Sequence, residues 1–90
     1  MRITAEISLY PLTEDYKQIV VDFIKTLKKE DLRVEVNGLS TQIFGEYDDV
    51  MELVQREAKR LFKQQKAVLV MKFTAGDEEL TPEQVPEELK

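Results

Sequence analysis

Hydrophobic and polar residues alternate strictly at the start of the chain: Ile3, Ala5, Ile7 and Leu9 on one side, Thr4, Glu6, Ser8 and Tyr10 on the other. Period two over eight residues predicts a strand with one buried face. Pro11 ends it, and Thr13 stands where it can cap a helix whose first turn holds Glu14 and Asp15, both favourable at the positive end of the helix dipole. Tyr16, Ile19, Val20, Phe23, Ile24 and Leu27 then recur at helical spacing until Lys28 and Lys29, whose charge suits a C-terminus. Leu32, Val34 and Val36 alternate with Arg33 and Glu35, giving a second strand. Asn37-Gly38 follows, the dipeptide that best tolerates the positive φ of a type I′ hairpin turn. A turn on those two residues sets Val36 against Leu39, Val34 against Thr41 and Leu32 against Ile43 on the core side, with Glu35 against Ser40 and Arg33 against Gln42 on the other.

Asp48 and Asp49 open a second helical pattern with Val50, Leu53, Val54, Ala58, Leu61 and Phe62 on its apolar stripe. Asp49 and Glu52 have capping-box spacing. The run from Ala67 to Ala75 is apolar on both faces apart from Lys72, which predicts a well-covered strand. The order β-α-β-β-α-β is that of an α+β ferredoxin-like sandwich: a four-stranded antiparallel sheet, order 4-1-3-2, with two helices on one face. In that topology the first and third strands are central and antiparallel. The end of the first, Ser8 to Tyr10, therefore lies beside the beginning of the third, Leu39 to Thr41.

Ninety residues allow one domain and not two. There is no cysteine and no histidine, so disulfides, thiolate or imidazole metal sites and a cysteine nucleophile are excluded together. The net charge of −5 is unevenly placed: residues 1–75 carry 12 acids and 12 bases, and six acids against Lys90 fall in residues 76–90. A neutral ferredoxin-like domain over residues 1–76 is thus followed by an acidic C-terminal tail, 77–90, read as solvated and dispensable for function. No basic face of the kind nucleic acid demands is present, and the central strands lack paired aromatics for stacking RNA bases. No apolar run approaches the ~20 residues that span a bilayer, and the first residues lack the apolar region of a secretory signal, so no membrane partner and a cytoplasmic location are expected.

The sheet face turned away from the helices holds the candidate chemistry. Ser8, Tyr10, Ser40 and Asn37 gather hydroxyl and amide groups at one end of the two central strands. Glu6 and Gln42 continue the same face, and Phe44 lies further along. Each alone reads as an ordinary solvated residue. Together they mix donors, acceptors and aromatics, which suits a small polar heterocycle or the sheet of a partner subunit.

The segments Ile7-Ser8-Leu9-Tyr10-Pro11-Leu12 and Leu39-Ser40-Thr41-Gln42-Ile43-Phe44-Gly45, the latter followed by Asp48-Asp49-Val50, resemble the YkoF-type thiamine- and hydroxymethylpyrimidine-binding family. So does Lys72-Phe73-Thr74-Ala75-Gly76-Asp77 at the end of the last strand. The resemblance runs over residues 3 to 77. It implies a non-catalytic protein that takes thiamine or its pyrimidine as a ligand, needs no other cofactor, and assembles through its sheet as a homodimer or homotetramer. Ser8, Ser40 and Thr41 are the hydroxyls it carries over, giving with the open-face cluster a ligand-binding set of Glu6, Ser8, Tyr10, Asn37, Ser40 and Thr41. An aminopyrimidine presents donors and acceptors that Ser, Asn and carboxylate groups can pair, and its flat face wants a platform such as Tyr10 or Phe44. The thiazolium of thiamine is cationic, which matches Glu6 in sign. Thr41 points toward the helices in the expected register. Either the ligand enters from the strand end, or Thr41 is a buried hydroxyl bonded to backbone.

Two other classes fit less well. Acylphosphatase shares this fold, but its phosphate-cradling loop needs an arginine, whereas Tyr10-Pro11-Leu12-Thr13-Glu14-Asp15 is acidic and has no glycine. A ligand-free homo-oligomeric interaction module is the alternative that remains, and it calls for an apolar open face where ligand binding calls for a polar pocket near Ser8.

Overall fold

The computed structural model describes residues 1–76 and residue 88. The rest of the expected acidic tail lies outside the described residues, and with it the expectation that the tail is dispensable. Along the chain run β1 (Arg2–Pro11), α1 (Tyr16–Lys28), β2 (Arg33–Val36), β3 (Thr41–Glu46), α2 (Tyr47–Gln64) and β4 (Ala67–Ala75). The strands form one antiparallel sheet in the order β2-β3-β1-β4, the expected 4-1-3-2 read from its other edge. This is the ferredoxin-like α+β sandwich.

The alternation in β1 decides which face is buried. Ile3, Ala5 and Ile7 turn toward the helices and are almost inaccessible. They meet Ile43 of β3, Phe23 and Leu27 of α1, and Val50, Leu53, Val54 and Leu61 of α2 in one apolar cluster. Full burial of a Val, Leu, Ile or Phe side chain contributes ~1.5–3 kcal/mol, so this cluster is the main store of the domain's cohesion. The helical stripes hold with two departures: Tyr16 at the start of α1 is 50% exposed, and on α2 Phe62 is 52% exposed, while Glu57 is buried beside Leu53 and Leu61 and accepts from Arg60 at 3.3 Å.

Both helix starts depart from the expected caps. Asp15, not Thr13, occupies the N-cap of α1, so Glu14 and Asp15 precede the helix, and Asp15 makes no side-chain capping bond. In α2 the N-cap is Glu46, and Asp48 and Asp49 sit in the first turn, so no capping box forms around Asp49. Glu46 is drawn away by the chain terminus, bonding the Met1 ammonium at 3.0 Å and lying 3.7 Å from Arg2. The first N–H of α2, on Tyr47, donates to the Met1 carbonyl at 2.8 Å, so the residue before β1 takes over the work of a cap.

The hairpin is the main correction to the expected register. Val36 faces Thr41, Glu35 faces Gln42, Val34 faces Ile43 and Arg33 faces Phe44, a shift of two residues from the pairing set by a turn on Asn37-Gly38. Asn37 instead closes the ladder with Ser40, its N–H donating to the Ser40 carbonyl at 3.0 Å, and Gly38-Leu39 form the loop. Neither loop residue has a positive φ, so the type I′ turn is not made. The Asn37 side chain decides this: its Oδ1 accepts from the N–H groups of Leu39 (2.7 Å) and Ser40 (3.0 Å), an arrangement that favours Asn as the first residue of a turn. An even shift preserves the faces, which is why the core is as expected while Leu39 is 90% exposed.

The other correction concerns β4. Its apolar character on both faces implied full cover, yet β4 is an edge strand and Val68, Val70 and Phe73 are each nearly half exposed.

Candidate functional site

The registers fix what meets on the open face. Successive rows across the sheet read Arg33–Phe44–Thr4–Thr74, then Glu35–Gln42–Glu6–Lys72, then Ser8 beside Val70, then Tyr10 beside Val68. The centre of the first two rows is closed. Thr4, Gln42 and Phe44 are buried, Thr4 Oγ1 donates to the Gly76 carbonyl at 2.9 Å, and the Arg33 guanidinium lies 4.3 Å above the Phe44 ring. Phe44 therefore offers no free platform. It also sits opposite Thr4, four residues and about 13 Å along the strand from Ser8.

The rows at the other end are accessible, and the expected residues gather there. Ser40 Oγ donates to Glu6 Oε2 at 2.9 Å, and Lys72 Nζ approaches Glu6 Oε1 at 3.9 Å from a largely solvated position. Ser8 Oγ makes a long bond to the Leu39 carbonyl, 3.4 Å. The Asn37 carbonyl oxygen is committed to the hairpin loop, which leaves its amide NH2 as a donor. Tyr10 is 55% exposed.

A recess of about 230 Å³ opens at this end. Ser8, Tyr10, Asn37, Ser40 and Thr41 line it, and Glu6 does not. Glu6 reaches it only through its bond to Ser40. The recess is not confined to the open face. It runs from the strand end under α1, whose Val20, Phe23 and Ile24 form an apolar wall with Ile7 and Leu9, and Gly38 and Leu39 close the hairpin side. This geometry accounts for Thr41, which is buried on the helix side and still lines the cavity. The three α1 residues escaped the sequence reading because they sit on the same stripe as the core. Their signal was a stripe wider than a four-stranded sheet can cover, for Val20 and Ile24 are only partly buried.

An apolar wall with a rim of hydroxyls and amides is the composition of a small-molecule pocket. Its volume is below the ~300–1,000 Å³ of drug-sized sites, so it matches one small ring with short substituents. Larger hollows elsewhere are shallower, and that between α1 and α2, about 100 Å³ around Asp22, Glu57 and Arg60, is smaller. Among the described residues no group of His, Cys, Asp and Glu is placed to hold a metal ion, and no helix is long and apolar enough to cross a membrane.

Comparison with known proteins bears on the family and the fold. The model of a family described as thiamine-binding protein matches residues 5–86. Among solved structures, a Streptococcus pneumoniae protein superposes with a TM-score of 0.78 at 16% identity, covering 99% of this chain and 98% of that one. A Thermotoga maritima protein, described as a candidate thiamine biosynthesis/salvage protein, gives 0.74 at 21% identity over the full length of both chains. A Methanocaldococcus jannascii protein described as hypothetical gives 0.71 at 26%, covering 92% of this chain and 90% of that one. No curated protein matches the chain.

Proposed function

The chain belongs to the thiamine-binding protein family, and from that premise we propose that it binds thiamine or the hydroxymethylpyrimidine part of it, without transforming either, as a self-associating cytoplasmic domain. The observation that carries this reading is the recess at the end of β1: an apolar wall from α1, a polar rim, and a volume matched to one pyrimidine. The ring would lie against Val20 and Ile24 with Tyr10 at the mouth, its edge paired with Ser8, Ser40, Thr41 and the Asn37 amide. The thiazolium of the larger ligand would extend toward Glu6. Catalysis has no support in the set: the rim offers hydroxyls and amides, and Glu6 is engaged by both Ser40 and Lys72.

Isothermal calorimetry with thiamine, hydroxymethylpyrimidine and choline tests the reading. Micromolar dissociation constants for the pyrimidine compounds, near −8 kcal/mol, with both ligands recovered unchanged, are the expected result. No heat from either, or equal heat from choline, sinks it. The second reading, a ligand-free homo-oligomeric module, is favoured by the exposed apolar group Tyr10, Val68 and Val70 on the open face, and that outcome would promote it.

A further inference from the structure

Three side chains on the face turned away from the helices are as inaccessible as the core. Thr4 and Phe44 are each 1% exposed and Gln42 is 3% exposed. They form one patch: Thr4 lies opposite Phe44, and Gln42 stands one row on, opposite Glu6. Both helices pack on the other face, against Ile3, Ala5, Ile7 and Ile43. Over the patch lie the Arg33 guanidinium, 4.3 Å above the Phe44 ring, and the Gly76 carbonyl at Thr4. One guanidinium and one carbonyl are too little to keep water from three side chains. At the other end of the same face, where cover is lacking, Tyr10 and Val70 are about half exposed.

The chain itself points to the cover. Gly76 N–H donates to the Arg2 carbonyl at 2.9 Å, and the φ of Gly76 is +93°, a turn that a side chain would strain. The Gly76 carbonyl then accepts from Thr4 Oγ1 at 2.9 Å. That hydroxyl belongs to the open face, so the turn sends the chain onto this face and not off the end of the sheet. Leu80 is the first apolar residue beyond the turn. Four extended residues reach about 13 Å, enough to cross the two strand spacings of about 10 Å from β4 to β3.

We propose that the segment after Gly76 doubles back across the open face as a strap, seating Leu80 on Phe44 and Thr4. Asp77, Glu78 and Glu79 then pass the end of the face that carries Arg2 and Arg33, opposite in sign. Composition alone marks this segment as solvated, whereas the turn at Gly76 and the buried patch give it a place in the fold. A second copy laid face to face would also cover the patch. The chain's own segment is favoured because the burial is complete within a single chain and is confined to the rows nearest Gly76. The strap leaves the Ser8–Tyr10 end of the face as the part that a ligand can reach.

Proton NOEs on the isotopically labelled full chain test the placement. Leu80 methyl protons should show NOEs to the Phe44 ring and the Thr4 methyl group. Isotope-filtered spectra of mixed labelled and unlabelled chains should place those contacts within one chain. Leu80→Asp should lower Tm by roughly 5–10 °C, and Leu80→Met, which keeps the volume, should melt near the wild type. NOEs between chains overturn the strap in favour of a second copy. NOEs from Leu80 to residues off the open face overturn it as well, and so does their absence with Leu80→Asp melting like the wild type. If Leu80→Asp does not fold, the wild-type NOEs decide alone.

Discussion

Of the hydroxyls at the recess, Ser8 has the weakest internal commitment. Its bond to the Leu39 carbonyl is 3.4 Å long, whereas Ser40 is held by Glu6 at 2.9 Å. A ligand acceptor can take the Ser8 proton at little cost, while Ser40 keeps donating to the carboxylate and presents lone pairs. Ser8→Ala should therefore weaken pyrimidine binding by roughly ten-fold or more, since an unmatched polar atom in a partly buried place costs about 1–3 kcal/mol. Thermal unfolding should be nearly unchanged, because the bond lost within the protein is exposed and long. Calorimetry beside a melting curve reads both, and unaltered affinity would move the site away from Ser8. Glu6→Gln separates the ligands by charge: affinity for thiamine should fall several-fold while the uncharged pyrimidine changes little. An equal loss for both would mean that Glu6 acts by holding Ser40, not by attracting a cation.

At the scale of elements, faces were legible in the sequence and positions along the sheet were not. Period-two alternation assigned the side chains of β1 to the right faces, although Thr4 on the open face is as buried as the core. The hairpin obeyed it too, yet slid by two residues, since an even slip keeps the apolar side inward and only loop chemistry separates the registers. Asn37 tolerates a positive φ and also serves as the acceptor that opens a turn; the sequence does not say which role wins. Asn37→Ala should cost about 0.5–1.5 kcal/mol through the loss of both side-chain bonds, lowering Tm by several degrees, and Asn37→Asp should restore most of it. If Asn37→Ala melts like the wild type, water replaces Oδ1 and the register is held by packing alone. The same limit explains the site. Ser8, Asn37, Ser40 and Thr41 were placed together by strand order, but the share of the wall contributed by α1 depends on how that helix crosses the sheet, which no local pattern records. It explains β4 as well, where an apolar run on both faces reads alike for a covered central strand and for an edge left free.

For the whole molecule, a domain of ninety residues has little stability to spare, so a ligand that binds only the folded chain should be conspicuous in its melting. At a concentration one hundred times its dissociation constant, such a ligand stabilises the fold by about 2.7 kcal/mol. In a domain of this size each kcal/mol moves Tm by roughly 4–8 °C, so hydroxymethylpyrimidine should raise it by about 10–20 °C. Salt supplies a further criterion. The recess is lined by uncharged groups, so the shift produced by the neutral pyrimidine should be the same at low and at physiological ionic strength. Thiamine adds a cation near Glu6, whose side chain is about one-quarter exposed, and salt should trim its shift modestly without abolishing it. Differential scanning fluorimetry at two salt concentrations reads both ligands in one plate. A shift that vanishes with salt for either compound would mean general attraction to the acidic chain. A salt-independent shift for the pyrimidine with none for choline would tie binding to the recess, and Ser8→Ala should then lower that shift in proportion to the affinity lost.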